Sequence, residues 1–203
     1  MTLDEFNVLD AEVAEREVLH CCGSRRWARE MAGRRPFTDR WTLDRDADSI
    51  WRALAPVDWF EAFAAHPRIG DTPRLAGEAG GAGESPTAGE AGGTGQAGDA
   101  GRTGGAGGTD RTGHTGRAGA WAAREQAGMD AATEDIRQRL AAVNRRYEDR
   151  FGFIYLVCAT GKTAEEMLAI AEGRLRHTPD EELHTAAEEQ RKITRIRLEK
   201  LIP

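Results

Sequence analysis

This chain has too few cysteines, and in the wrong places, to be held together by disulfides. It has three, two of them adjacent at Cys21 and Cys22, which cannot staple a framework and fit a reducing compartment. No Cys-x-x-Cys pair exists, and His20, His66, His177 and His184 never fall at His-x-x-x-His spacing, so a metal site is not expected. Positive charge is not in excess either. A formal net charge of -6 argues against nucleic acid or an anionic membrane as the main partner. No apolar run reaches the roughly 20 residues of a membrane span. The N-terminus, with Asp4 and Glu5, lacks the basic start of a secretory signal, and Leu201-Ile202-Pro203 is not the Ser-Lys-Leu peroxisomal address. The expectation is a cytoplasmic protein. Gly161-Lys162-Thr163 has the ending of a phosphate-binding loop, but the glycine required five residues earlier is Leu156, so nucleotide binding is not expected.

The most local absence is in residues 77–119. Those 43 positions hold 17 of the 24 glycines and not one Val, Ile, Leu, Met, Phe, Trp, Tyr or Cys. Such a stretch cannot bury enough apolar surface to offset its ordering entropy, so a disordered, flexible insertion is predicted, with His114 a solvated passenger. The remaining 160 residues suffice for one core, and the whole chain, 1–203, is read as a single domain.

What is present is helical spacing nearly throughout. Asp10 can cap a helix to about Cys22, and Ser24 the next, which carries Trp27 and Met31. Asp46–Leu54 reads as a third. Pro56 opens a fourth, with Phe60 and Phe63 inward and an end enforced by Pro67. Trp121 to about Ala127 reads as a short helix, and Thr133–Tyr147 as a longer one. Phe151–Cys158 is apolar without a clear period. It suits a buried strand or an irregular segment, and the irregular reading is favoured because no second strand pattern exists to pair with it. Thr163 with Glu166 forms a capping box for a helix to about Leu175. Thr178, Pro179 and Glu181 start the last helix. The fold class expected is all-α, one domain of about seven to nine helices.

On that last helix Leu183, Ala187, Gln190, Thr194, Arg197 and Leu201 recur at alternating spacings of four and three, and so share one face. Its acids precede its bases, which complements the helix dipole. Arg197 is not explained that way, because it falls on the buried stripe. A buried guanidinium needs an anion, either a protein carboxylate or a substrate group. The apolar neighbours of Cys158 make it an inert buried thiol and not a nucleophile.

His66 stands at a helix end, its backbone constrained by Pro67, with Arg68 beside it and a tight turn at Gly70. Glu125 and Gln126 add a carboxylate and a two-way amide. Together the three make an acid/base and orienting set.

The chain carries His66-Pro-Arg-Ile-Gly-Asp71, Glu125-Gln-Ala-Gly-Met129, Asn144-x-x-Tyr147, Arg150-Phe-Gly-Phe153 and Ala186-Ala-Glu-Glu-Gln-Arg-Lys-Ile193. In this combination it resembles the decarboxylases of 2-oxo-4-hydroxy-4-carboxy-5-ureidoimidazoline (OHCU). The likeness runs from about Leu3 to Leu201 apart from the glycine-rich insertion. The resemblance implies an all-helical homodimer that acts in urate breakdown without metal or organic cofactor and forms (S)-allantoin from a small ureidoimidazoline. It implies His66 and Glu125 as catalytic residues. Pro67, Ala122, Glu125, Gln126, Arg197 and the segment Tyr155, Leu156, Val157, Cys158 and Ala159 are implied as substrate contacts. The family commonly has serine where this chain has Ala122, so one hydroxyl contact is missing, and its connection between the histidine and glutamate motifs is much shorter. Gln126 and Arg197 are expected to grip ureido and carbonyl oxygens. The competing reading, from a different class, is a non-catalytic helical interaction module of the same fold.

Overall fold

The computed structural model describes residues 1–69, 121, 129 and 132–203. They all fall within one compact unit built from Met1–Asp71 and Arg111–Pro203. The described residues form eight helices and no strand: α1 (Leu3–Asn7), α2 (Ala11–Cys22), α3 (Arg25–Gly33), α4 (Arg40–Ala53), α5 (Pro56–Ala64), α6 (Glu134–Phe151), α7 (Ala164–Arg174) and α8 (Pro179–Leu201). This is the all-α fold expected. The glycine-rich insertion at 77–119 and the short helix predicted at 121–127 lie outside the described residues, apart from Trp121, which is helical.

Local chemistry explains most of the boundaries. Ser24 accepts from the Trp27 N–H, and Thr163 with Glu166 and Thr178 with Glu181 close reciprocal capping boxes. Gly152 ends α6 and Gly23 ends α2, both in the left-handed region that favours glycine. α4 begins six residues before the predicted Asp46. Asp39 accepts from the Thr42 N–H at 2.7 Å and starts the helix there, and buried Leu43, one turn before Ala47, carries the apolar stripe back into that first turn. α1 was not predicted and rests on a box between Thr2 and Glu5. Of the two phenylalanines expected inward on α5, Phe63 is buried but Phe60 is exposed, its ring laid against Phe153 at 5.7 Å.

α2 packs on α3 and on α8, and α6 packs on α7. One core cluster gathers Phe6, Trp27, Met31, Leu43, Ile50, Phe63 and Leu198; a second gathers Leu140, Tyr147, Met167 and Ala171. The irregular segment after α6 runs between them. Leu156 and Cys158 belong to the first cluster, Tyr155, Val157 and Ala159 to the second. Successive residues of an extended chain point to opposite sides. Here both sides are buried, which is why the run is apolar without alternation.

A buried polar network spans the second cluster. Arg174 on α7 donates from Nε to Glu182 Oε1 at 2.8 Å, from Nη2 to the same oxygen at 2.5 Å, and from Nη1 to the Leu156 carbonyl at 2.8 Å. The Tyr147 hydroxyl donates to Glu182 Oε1, and His177 Nδ1 lies 2.7 Å from Oε2. Glu182 is fully buried and Arg174 nearly so. Burial works against the arginine's charge, but the Glu182 carboxylate outweighs it and holds the guanidinium pKa above its ordinary value. Burial pushes the Tyr147 hydroxyl pKa up as well. One carboxylate thus fastens α6, α7 and α8 to the segment that carries Leu156.

Candidate active site

His66 is anchored from both sides. On the N-terminal side, the α2–α3 turn presses against the end of α5. A Cβ on Gly23 would stand 2.7 Å from Ala65 Cβ and 3.2 Å from the Ala62 carbonyl oxygen, so only glycine permits this approach. The His66 N–H then donates to the Phe63 carbonyl at 3.1 Å. On the C-terminal side, Arg68 forms a two-point ion pair with Glu148 on α6, at 2.6 and 2.8 Å. Asn144 Nδ2 donates to the Ile69 carbonyl at 2.9 Å. Arg68, which the sequence places beside the imidazole, is engaged by Glu148 and holds that carboxyl below the usual range. Pro67 is exposed between these anchors.

The predicted buried stripe of α8 is what faces His66. Ala187, Gln190, Thr194, Arg197 and Leu201 are all buried; Leu183 is half-buried. Gln190 Nε2 donates to the Cys22 carbonyl at 3.1 Å and to Thr194 Oγ1 at 3.2 Å, and the Thr194 hydroxyl donates to the Gln190 carbonyl at 3.0 Å. The His66 residue is half-buried, but its Nε2 is sealed from solvent and makes no hydrogen bond, as does Gln190 Oε1. Burial, then the positive charge of Arg197, lower the His66 pKa to about 3, while Gln190 pulls it the other way. The imidazole is therefore neutral at physiological pH. Arg197 also bears on the Cys22 thiol, which burial pushes up to about 12. An imidazole just beyond α5, an amide and a guanidinium from α8, and the α2 C-terminus thus share one neighbourhood.

The segment Tyr155–Ala159 is buried throughout. Its backbone is held at several points. Glu189 Oε2 accepts from the Cys158 N–H at 2.7 Å, Lys162 Nζ donates to the Cys158 carbonyl at 2.7 Å, and Arg174 holds the Leu156 carbonyl. Burial opposes ionisation of Glu189, yet Lys192 and the Cys158 amide bring its pKa below the ordinary value. The Tyr155 hydroxyl is spent on the Met167 carbonyl at 3.0 Å. Ala122, Glu125 and Gln126 lie outside the described residues. Of the predicted site residues, the structure brings His66 and Arg197 together. Gln190 was on the predicted stripe but was not assigned to the site; its signal was an amide at a buried position one heptad before Arg197. Glu189 gave no such signal, since it falls off the stripe among charged neighbours.

The OHCU decarboxylase family model matches residues 7–102 and 107–199. A protein of Arabidopsis thaliana, the uric acid degradation bifunctional protein TTL, is 32% identical over 190 residues, covering 94% of this chain and 48% of that one. The 2-oxo-4-hydroxy-4-carboxy-5-ureidoimidazoline decarboxylase of Amia calva is 35% identical over 77 residues, 38% of this chain and 44% of its own. This chain thus spans less than half the length of these curated relatives. A crystal structure of OHCU decarboxylase in the presence of (S)-allantoin superposes with a TM-score of 0.64 at 31% identity, covering 92% of this chain and 96% of the other. The glycine that lets the α2–α3 turn reach the end of α5, the α8 stripe that meets His66 and the match along almost the whole length agree: this chain belongs to the OHCU decarboxylase family.

Proposed function

We propose that the chain decarboxylates 2-oxo-4-hydroxy-4-carboxy-5-ureidoimidazoline to (S)-allantoin as part of urate catabolism. The observation that carries this reading is a neutral imidazole with a sealed Nε2 and a buried guanidinium in one neighbourhood, on a chain of this family. His66 and Glu125 act on the substrate's protons. Pro67, Gln126, Arg197 and the Tyr155–Ala159 segment bind it, and Ala122, where the family commonly has serine, offers no hydroxyl. The protein acts as one domain with 77–119 as an insertion, as a cytoplasmic homodimer, without nucleic acid or membrane as partner.

The substrate supplies its own electron sink. The C4–carboxylate bond breaks, its electron pair forms a C4=C5 double bond, and the former C5=N pair moves to nitrogen, which takes a proton. The enol at C4 then becomes the carbonyl as its hydroxyl loses a proton and C5 gains one from a single face. His66 enters as a neutral base. A substrate carboxylate beside Arg197 offsets that charge and makes the imidazole more basic; once carbon dioxide has left, Arg197 again disfavours the imidazolium and drives its proton out. Positioned proton transfer is worth about 10²–10⁴-fold.

The test is to add the protein to freshly generated OHCU and follow carbon dioxide release and circular dichroism. Accelerated release with accumulation of the S enantiomer alone is expected, and His66→Asn should lower kcat by about 10²–10⁴-fold. Racemic allantoin formed at the uncatalysed rate would end the proposal.

A further inference from the structure

We infer that Gln190 is a positioning residue that fixes the tautomer of His66, keeping the ring proton on Nε2 and the lone pair on Nδ1. The argument is one of hydrogen-bond bookkeeping around a fully buried amide. The Cys22 carbonyl can only accept, so the group facing it must be the Gln190 NH₂. The Thr194 hydroxyl spends its single proton on the Gln190 carbonyl, so toward the side chain it too can only accept. Both donors of the amide are therefore committed, and its orientation cannot flip. Oε1 is left as a pure acceptor, sealed from solvent and unpaired.

His66 Nε2 is in the same condition, sealed and unpaired. An unpaired buried polar atom costs about 1–3 kcal/mol, so two orphans in one neighbourhood are complementary only if one carries a proton. The amide oxygen cannot; the ring nitrogen can. Gln190 raises the imidazole pKa, the sign expected when an amide oxygen faces a ring N–H. With the proton held on Nε2, the basic atom of the neutral ring is Nδ1, and the proton exchange of the proposed reaction passes through Nδ1. The inference rests on that reading for its consequence, not for its test.

A long-range proton–nitrogen correlation spectrum of the full chain, labelled at histidine, reports the tautomer directly. His66→Asn identifies the His66 signals by their loss. At pH 7.5 Nε2 should appear as the protonated and Nδ1 as the unprotonated nitrogen. Gln190→Leu should lose this pattern, with kcat falling and KM holding. A proton on Nδ1 in the unaltered chain overturns the inference, as does an unchanged spectrum in Gln190→Leu; should Gln190→Leu not fold, the unaltered chain still decides it. Because the spectrum needs no substrate, an inactive protein with the expected tautomer would refute the proposed reaction and leave this inference standing.

Discussion

Removing one partner of the Arg174–Glu182 pair should damage the protein far more than removing both. In Glu182→Leu, the Arg174 guanidinium keeps its bond to the Leu156 carbonyl but loses a carboxylate met at 2.5 and 2.8 Å, in a place where Arg174 is 5% exposed. The Tyr147 hydroxyl and His177 Nδ1 lose their acceptor at the same time. Stranding a buried charge costs about 3–5 kcal/mol. In a chain of this size each kcal/mol moves Tm by about 2–4 °C, so a loss of about 6–20 °C is expected. Arg174→Met combined with Glu182→Leu exchanges the pair for apolar volume and should recover most of the loss, because desolvating two charges offsets much of their attraction. Urea unfolding followed by far-UV circular dichroism measures both singles, Glu182→Leu and Arg174→Met, and the double. A single substitution costing under about 1 kcal/mol, or a double no better than the worse single, would refute the view of Glu182 as the anion that compensates Arg174.

Two further outcomes follow from the site itself. The folded state depresses the His66 pKa from 6.5 to about 3, so between those values the unfolded chain binds more protons. His66 thus contributes stability that is complete above pH 6.5 and is lost as pH falls toward 3; at pH 5 the loss reaches at most about 2 kcal/mol, and His66→Gln should flatten that part of the curve in urea titrations. Gly23→Ala forces a side chain into a left-handed backbone at φ +87° and against Ala65, so destabilisation by more than about 1 kcal/mol with a fall in decarboxylation is expected; unaltered Tm and kcat would mean that this approach does not position His66.

What could be read from the sequence was what depends on neighbours along the chain. Ser24, Thr163 with Glu166 and Thr178 with Pro179 act through bonds to backbone groups a few residues away, and those helices begin where expected. The early start of α4 was legible but missed: Asp39 is an equally local cap, and buried Leu43 stands one turn before Ala47 on the same stripe, while exposed Trp41 lies off it. The polar network was hidden for a different reason. Glu182 lies among the acids of a first helical turn, where dipole complementation accounts for it fully. Its second role comes from Arg174, eight residues away on another helix, with Tyr147 and His177.

Arg197 shows how far spacing can go. The stripe established that this guanidinium is buried and needs an anion, but not what it meets. In three dimensions it lies near the imidazole, a cation beside a group that is useful only if its proton can come and go. That is an unfavourable pairing for stability and a useful one for catalysis. In the reaction proposed above, a carboxylate that arrives with the substrate and leaves as carbon dioxide would let the basicity of His66 rise and fall once per turnover. If so, a neutral substrate analogue lacking the carboxylate should leave the His66 ring unprotonated on binding, and a carboxylated one should shift its titration upward. Nitrogen chemical shifts would separate the two, and equal titrations would show that Arg197 does not couple the charge of the substrate to the imidazole.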